Sequence, residues 1–251
     1  MIDIHSHVLP MVDDGASSVE QALSMLVQAY EDGTDGIVLT PHFAYEYGFN
    51  NPNDKVKELY ADLKYIVRKE GIPIQIYLGC EFLFSSVDAF EKRCHEITRI
   101  NDTQYLLMEF FFDVDGDDIL KAIDCVIEKG LIPVIAHPER YECIQISIDI
   151  VEKGILKGAL FQMNKGSVFG DYGRMARETV FELLDRHYIH FVGSDGHNTK
   201  TRNTYMYETY QCIKDIYGRQ YAKNIFIKYP QNMLKNKDIR NMLLREEIND
   251  G

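Results

Sequence analysis

The chain is poor in cysteine and has no C-x-x-C pair. Its five cysteines, Cys80, Cys94, Cys125, Cys143 and Cys212, are odd in number and scattered. That usage argues against a disulfide framework and for a reducing cytoplasm. It also argues against a cysteine phosphatase, which needs an arginine at a fixed distance after its thiolate; Cys94 comes nearest, with Arg99 one position too early. Positive charge is scarce as well. A net charge of −12 disfavours nucleic acid as the main partner, and bound divalent cations would neutralise part of that acidity. No apolar run approaches the length of a membrane span. The N-terminus lacks the basic and apolar regions of a signal peptide, and His5 and His7 would interrupt one. Linkers rich in Pro, Gly or Ser, low-complexity segments and internal repeats are also missing. The expectation is a cytoplasmic protein of one domain spanning 1–251, without membrane insertion and with its oligomeric state open.

What the chain does have is a globular balance, with 45% hydrophobic and 26% charged residues, and a length of 251 that suits an α/β barrel. Apolar runs alternate with helical patterns. Strands are expected at Ile2 to His5, Gly36 to Thr40, Ile74 to Leu78, Tyr105 to Glu109, Ile132 to Ala136, Ala159 to Met163 and Ile189 to Val192. Helices are expected at Val19 to Asp32, Asp54 to Lys69, Val87 to His95, Ile119 to Glu128, Ile146 to Lys153 and Arg174 to Arg186, with a helical remainder from Thr201. The first opens on the capping pattern Ser17-Ser18-Val19-Glu20 and closes at Gly33. Strands alternating with helices imply parallel pairing and right-handed crossovers. Seven such units predict a closed or nearly closed barrel.

Nearly every predicted strand ends in a metal-ligand residue type. His5 and His7 alternate on one face of the first strand, and Asp14 lies in the loop that follows. His42 closes the second strand, Glu81 the third, Glu109 the fourth and His137 the fifth; Asp195 and His197 follow the seventh. In a parallel barrel the functional groups gather at the C-terminal ends of the strands. Any one of these residues alone is more often a polar surface or capping group. The joint pattern, which takes in five of the eight histidines, points to metal. Imidazole with carboxylate suits Zn, Mn or Fe, and the lack of cysteine in the set excludes a typical structural zinc. Nine ligands exceed one ion's needs, so two or three ions are expected, with Glu81 bridging.

Arg140 and Arg202, each shortly after a ligand, are candidates to clamp a phosphoryl group. Lys165 and Lys200 are weaker ones, and Asn164 is a candidate to orient water or substrate. His95, His187 and His190 have no such placement. Asp3, Asp13 and Asp113 read as supporting, loop or capping groups.

The segments MIDIHSHVLPMVDDG, TPHF, LGCEF, LLMEF, VIAHPERY, FQMN and GSDGHN together resemble the PHP family, named after polymerase and histidinol phosphatase domains. Within it the whole chain is similar to the bacterial manganese-dependent protein-tyrosine phosphatases encoded with capsule or exopolysaccharide genes. The resemblance implies a distorted (β/α)7 barrel of PHP type, with a trinuclear site at the C-terminal ends of the strands. It implies one ion on His5, His7, Glu81 and Asp195, a second on Glu81, Glu109 and His137, and a third on Asp14, His42 and His197. It makes Arg140 and Arg202 the phosphate contacts and Mn2+ the foremost metal. It implies a phosphotyrosyl protein as partner, the tail of a bacterial tyrosine kinase. The chain departs from some relatives after His42, where it reads FAYEYGF instead of a basic run, and it carries Phe110, Phe111 and Phe112 after Glu109. Histidinol-phosphate phosphatase shares the scaffold and is the alternative enzyme. A nuclease or editing domain is disfavoured by the acidity. A non-catalytic phosphotyrosine-binding module is the alternative of another class.

Overall fold

Pro41 and the Gly79-Cys80 pair set the shape of the sheet. The computed structural model describes residues 1–240, so the last part of the predicted helical remainder and of the 1–251 span lies outside the described residues. The second and third predicted strands, Gly36 to Thr40 and Ile74 to Leu78, are each continued by a further short strand. The second becomes β2 (Gly36–Leu39) and β3 (His42–Phe43), and the third becomes β4 (Gln75–Leu78) and β5 (Glu81–Leu83). Pro41 has no N–H to give the ladder, and beside it the Thr40 hydroxyl accepts the Ser6 N–H at 3.0 Å. Gly79 N to Leu39 O (2.9 Å) and Glu81 N to Pro41 O (3.1 Å) carry the pairing across the break.

The remaining strands are β1 (Ile2–Ser6), β6 (Tyr105–Glu109), β7 (Ile132–Ala136), β8 (Leu160–Asn164) and β9 (Phe191–Gly193). They form one sheet in the order β1-β2-β4 and another in the order β3-β5-β6-β7-β8-β9, with parallel pairing throughout. The far edge curls back onto β1. Asp195 N donates to His5 O and His7 N donates to Gly196 O, each at 2.9 Å, and Ser6 bridges Gly196 in parallel. The result is a curled parallel α/β barrel: the β-α rhythm predicts the near-closed barrel, and the family resemblance implies its distortion.

Helices cover the sheet: α1 (Val19–Glu31), α2 (Asn53–Lys69), α3 (Val87–Arg93), α4 (Gly116–Glu128), α5 (Glu142–Ile146), α6 (Asp149–Lys157), α7 (Arg174–Asp185) and α8 (Tyr207–Tyr217). Shorter segments α9 (Arg219–Lys223) and α10 (Tyr229–Leu234) flank a π turn at Asn224–Lys228. Two predicted helical stretches need correction. Ser147 is extended, and its hydroxyl accepts from Asp149 N at 3.3 Å, so α5 and α6 are separate. Residues 201–206 are not helical, because the Asp32 carboxylate takes the N–H groups of Met206 and Tyr207 (2.5 and 2.7 Å) and delays α8.

Strand periodicity sorts the core into two shells. Val38 of β2 belongs to the larger apolar cluster with Ile4 and Leu107, whereas Ile37 and Leu39 join Ile76 and Leu78 beneath the helices. Onto that second cluster α1 presses Ala22, Met25, Leu26 and Ala29, and α2 presses Val56, Leu63 and Val67. Each fully buried leucine there contributes about 1.5–3 kcal/mol. The Ser18 hydroxyl accepts from Gln21 N at 3.2 Å and fixes where α1 begins.

Candidate metal centre

Four imidazoles converge on one buried carboxylate. Glu81, at the start of β5, has Oε2 3.2 Å from His5 Nε2, 3.3 Å from His7 Nε2 and 3.1 Å from His42 Nδ1; its Oε1 is 2.9 Å from His137 Nε2. His5 ends up here because β1 alternates, and His7 two residues on faces the same way. His42 starts β3, directly paired with Glu81 in register, so the break at Pro41 delivers both together.

The other predicted residues surround this group. Glu109 Oε1 lies 2.9 Å from His42 Nδ1. Asp14 Oδ1 lies 3.5 Å from His42 Nε2 and 3.3 Å from His197 Nε2. Asp195 Oδ1 lies 3.7 Å from His5 Nε2 and 3.4 Å from His7 Nε2. All nine predicted ligand residues thus meet at one end of the barrel, with His42 and Glu81 at the starts of β3 and β5, just past the ends of β2 and β4. Asp14 is the most open of them, at 52% side-chain exposure, and marks the mouth. The grouping is tighter than three separate sets: His7 joins Asp14, His42 and His197, and His42 also joins Glu81 and Glu109.

Two of these residues pay for their position in backbone conformation. His137 (φ 36°) and Asp195 (φ 51°) are left-handed, which is uncommon for side-chain-bearing residues and concentrates at functional sites.

Supporting contacts fix the rings. Gln162 Oε1 lies 2.8 Å from His5 Nδ1. Asp13 Oδ2 lies 2.8 Å from His7 Nδ1 and also accepts His42 N at 2.9 Å. Each partner leaves the opposite nitrogen, Nε2, directed at the cluster. Asn164 Nδ2 donates to Asp195 Oδ2 at 2.9 Å, so Asn164 orients that carboxylate. Asp3 is fully buried and accepts His5 N and Ser194 N (3.1 and 2.9 Å). Gln162 was not singled out from the sequence, where it reads as an ordinary residue of a buried strand.

The arginines sit side by side on Asp195. Arg202 Nη2 is 2.9 Å from Oδ1 and 3.0 Å from Oδ2, and Arg140 Nη1 is 3.6 Å from Oδ2. The weaker candidates lie apart from the cluster. Lys165 Nζ donates to Asn203 Oδ1 at 2.6 Å, Lys200 is exposed on the 198–202 turn, and Asp113 is exposed in the loop after β6. His95 is exposed, the ring of His187 packs edge-on to Tyr221, and His190 accepts Phe161 N at 3.1 Å.

The electrostatics are those of a cation site. Burial pushes Glu81 toward protonation, but His5, His42 and His137 outweigh it and hold the carboxyl well below the usual range. Burial likewise opposes ionisation of Asp195, and His7, His5 and Arg202 overcome it. Burial disfavours a charged His7, yet the Asp13 carboxylate holds its pKa well above the ordinary imidazole value. Glu81 Oε2, His137 Nδ1 and His197 Nε2 are buried without a well-aligned hydrogen-bond partner among the described residues. Clustered imidazole and carboxylate atoms within 4.8 Å of one another, some of them unsatisfied, fit divalent metal ions.

Comparison with known proteins agrees. Residues 1–235 match the model of the family described as capsular polysaccharide synthesis, CpsB/CapC. The tyrosine-protein phosphatase CpsB of Streptococcus agalactiae is 33% identical over 242 residues, covering 94% of this chain and 99% of that one. The tyrosine-protein phosphatase YwqE of Bacillus subtilis is 34% identical over 220 residues, covering 88% and 86%. A solved structure from work on YwqE of Bacillus subtilis and CpsB of Streptococcus pneumoniae, described as metal-dependent tyrosine phosphatases, superposes with a TM-score of 0.87 at 32% identity, covering 94% of this chain and 95% of the other. The chain belongs to the CpsB/CapC family.

Proposed function

We propose that this chain is a metal-dependent protein-tyrosine phosphatase that acts as one domain on the tail of a bacterial tyrosine kinase and so regulates capsular or exopolysaccharide synthesis in the cytoplasm. The observation that carries the reading is the convergence of His5, His7, His42 and His137 on Glu81, with Arg140 and Arg202 beside it on Asp195. Among the described residues no helix is long and apolar enough to cross a membrane.

His5, His7, Glu81 and Asp195 would hold one ion, Glu81, Glu109 and His137 a second, and Asp14, His42 and His197 a third. The ions are two or three in number and Mn2+ before Fe or Zn. When bound, such ions lower the pKa of a water and polarise phosphoryl oxygens. The protein's own residues do the rest. Arg140 and Arg202 neutralise charge on the phosphoryl oxygens. Asp195 holds the Arg202 fork through Nη2. Asp13 and Gln162 keep the rings of His7 and His5 turned inward. A tyrosine leaving group has a pKa of only about 10, so no protein acid is required.

The test sets a phosphotyrosyl peptide beside histidinol phosphate. Preference for the peptide supports the assignment. Preference for histidinol phosphate moves it to the small-molecule phosphatase, and binding of the peptide without phosphate release makes the chain a recognition module.

A further inference from the structure

Arg140 lies against two aromatic rings. Its guanidinium carbon lies 4.4 Å from the centroid of Phe112 and 4.6 Å from that of Tyr172. Phe112 belongs to the loop after β6 and Tyr172 to the loop between β8 and α7. Neither belongs to the proposed ligand set.

The loop carrying Tyr172 is built to stay in place. Gly170 and Gly173 bracket it with left-handed φ values of 85° and 92°. Gly170 N donates to Ser167 O, Asp171 N to Gly166 O and Gly173 N to Gly170 O, at 3.1, 3.1 and 2.9 Å. A Cβ on Gly166 would collide with the Asp171 carboxylate. Glu139, the neighbour of Arg140, then ties the two loops together. Its fully buried Oε1 accepts Asn164 N at 2.9 Å and Ser167 Oγ at 2.5 Å. The turn bearing Arg140 and the loop bearing Tyr172 are therefore in fixed register.

A guanidinium is planar, stacks on aromatic faces, and bonds only through its edge. The two rings crowd the guanidinium carbon within 4.6 Å and restrict where the side chain can swing, while Nη1 lies 3.6 Å from Asp195 Oδ2. An arginine without such support loses up to about 2 kcal/mol of side-chain entropy when it is ordered by a ligand.

We propose that Tyr172, together with Phe112, is a positioning residue that pre-orders Arg140 and thereby sets the affinity of the site for a phosphoryl group. The inference rests on the reading above that Arg140 contacts phosphate. The Tyr172 ring carries the effect. Its hydroxyl, whose pKa is pushed up to about 12 by burial and by Asp195, stays protonated.

The experiment measures kcat and KM on a phosphotyrosyl peptide, and the inhibition constant and calorimetric binding of inorganic phosphate, in Mn2+-loaded protein. Tyr172→Leu should raise KM and weaken phosphate binding about fivefold, with a smaller change in kcat. Tyr172→Phe should stay within about twofold of wild type on the same scale, because the ring face is kept. In an Arg140→Gln background, Tyr172→Leu should add nothing. Phe112→Leu, at an exposed position, should give the same effect in smaller measure and keeps the test valid if Tyr172→Leu fails to fold. Wild-type phosphate affinity in both leucine variants, full additivity with Arg140→Gln, or loss of bound Mn2+ in Tyr172→Leu would each overturn the inference. If Arg140→Gln itself leaves phosphate affinity unchanged, the underlying reading of Arg140 fails and the inference falls with it. Direct phosphate binding gives the answer even if the peptide is not the substrate.

Discussion

Gln162→Leu is the perturbation that most sharply probes how the site is held. Gln162 is fully buried in β8, and its Oε1 lies 2.8 Å from His5 Nδ1 as that atom's hydrogen-bond partner among the described residues. Its Nε2 donates to Met163 O (2.6 Å) and Asn164 Oδ1 (3.0 Å), and Asn164 in turn donates to Asp195. One amide thus fixes the His5 tautomer and, through Asn164, the aim of Asp195. Leucine keeps the volume and removes both functions. A buried imidazole N–H without an acceptor costs about 1–3 kcal/mol. Loss of a group that orients a ligand typically weakens metal binding or activity about 10- to 100-fold. The expected result is a drop in apparent Mn2+ affinity within that range, measured by chelator competition, together with a lowered Tm. Gln162→Glu, which keeps an acceptor for Nδ1, should retain most of the affinity. Wild-type Mn2+ affinity in Gln162→Leu would refute the claim that β8 positions the ligands.

Three further outcomes are expected. Gly193→Ala would put a Cβ 2.5 Å from His5 Cβ and 2.9 Å from Gln162 Nε2, so β1 and β9 must separate; a thermal melt should show about 1–3 kcal/mol of lost stability, with weaker Mn2+ binding. His190 is buried and neutral, its pKa lowered to about 3 by burial. The folded state therefore resists a proton that the unfolded chain takes up near pH 6.5. Its contribution is fully present above pH 6.5 and is lost as pH falls toward 3, amounting to about 2 kcal/mol by pH 5. His190→Asn, whose amide oxygen can still accept Phe161 N, should flatten that part of the stability-versus-pH curve. Arg202→Gln should lower kcat/KM by at least about tenfold in a peptide phosphatase assay, since it removes a charge-assisted contact to the phosphoryl oxygens.

Much of the site was legible in the sequence because ligand types recur at strand ends, where a barrel gathers them. His5 and His7 show their shared face through simple alternation. Glu81 and Glu109 stand at the ends of apolar runs in which a carboxylate has no packing role. Other features were out of reach. The short strands β3 and β5 depend on Thr40-Pro41 and Gly79-Cys80 facing each other, a matter of register. Gln162 acts on a histidine 157 positions away, and nothing local distinguishes it from a strand filler. The left-handed conformations of His137 and Asp195 leave no local mark, because even Asp and His, which enter that region more readily than most residues, do so only occasionally. The contacts of Arg140 with Phe112 and Tyr172 join three loops that are far apart in the sequence and meet only in the folded barrel. The gap at Ser147 and the delayed start of α8 arise from side-chain oxygens competing for helix N–H groups, which periodicity does not register.

The most direct test of the central claim is phosphate release from a phosphotyrosyl peptide by metal-stripped protein as Mn2+ is added back, with bound metal counted per chain and Glu81→Gln run alongside. The account predicts no release without metal, recovery as two or more ions bind per chain, and neither recovery nor full metal loading in Glu81→Gln. Full activity in metal-stripped protein, or normal metal binding and turnover in Glu81→Gln, would contradict it.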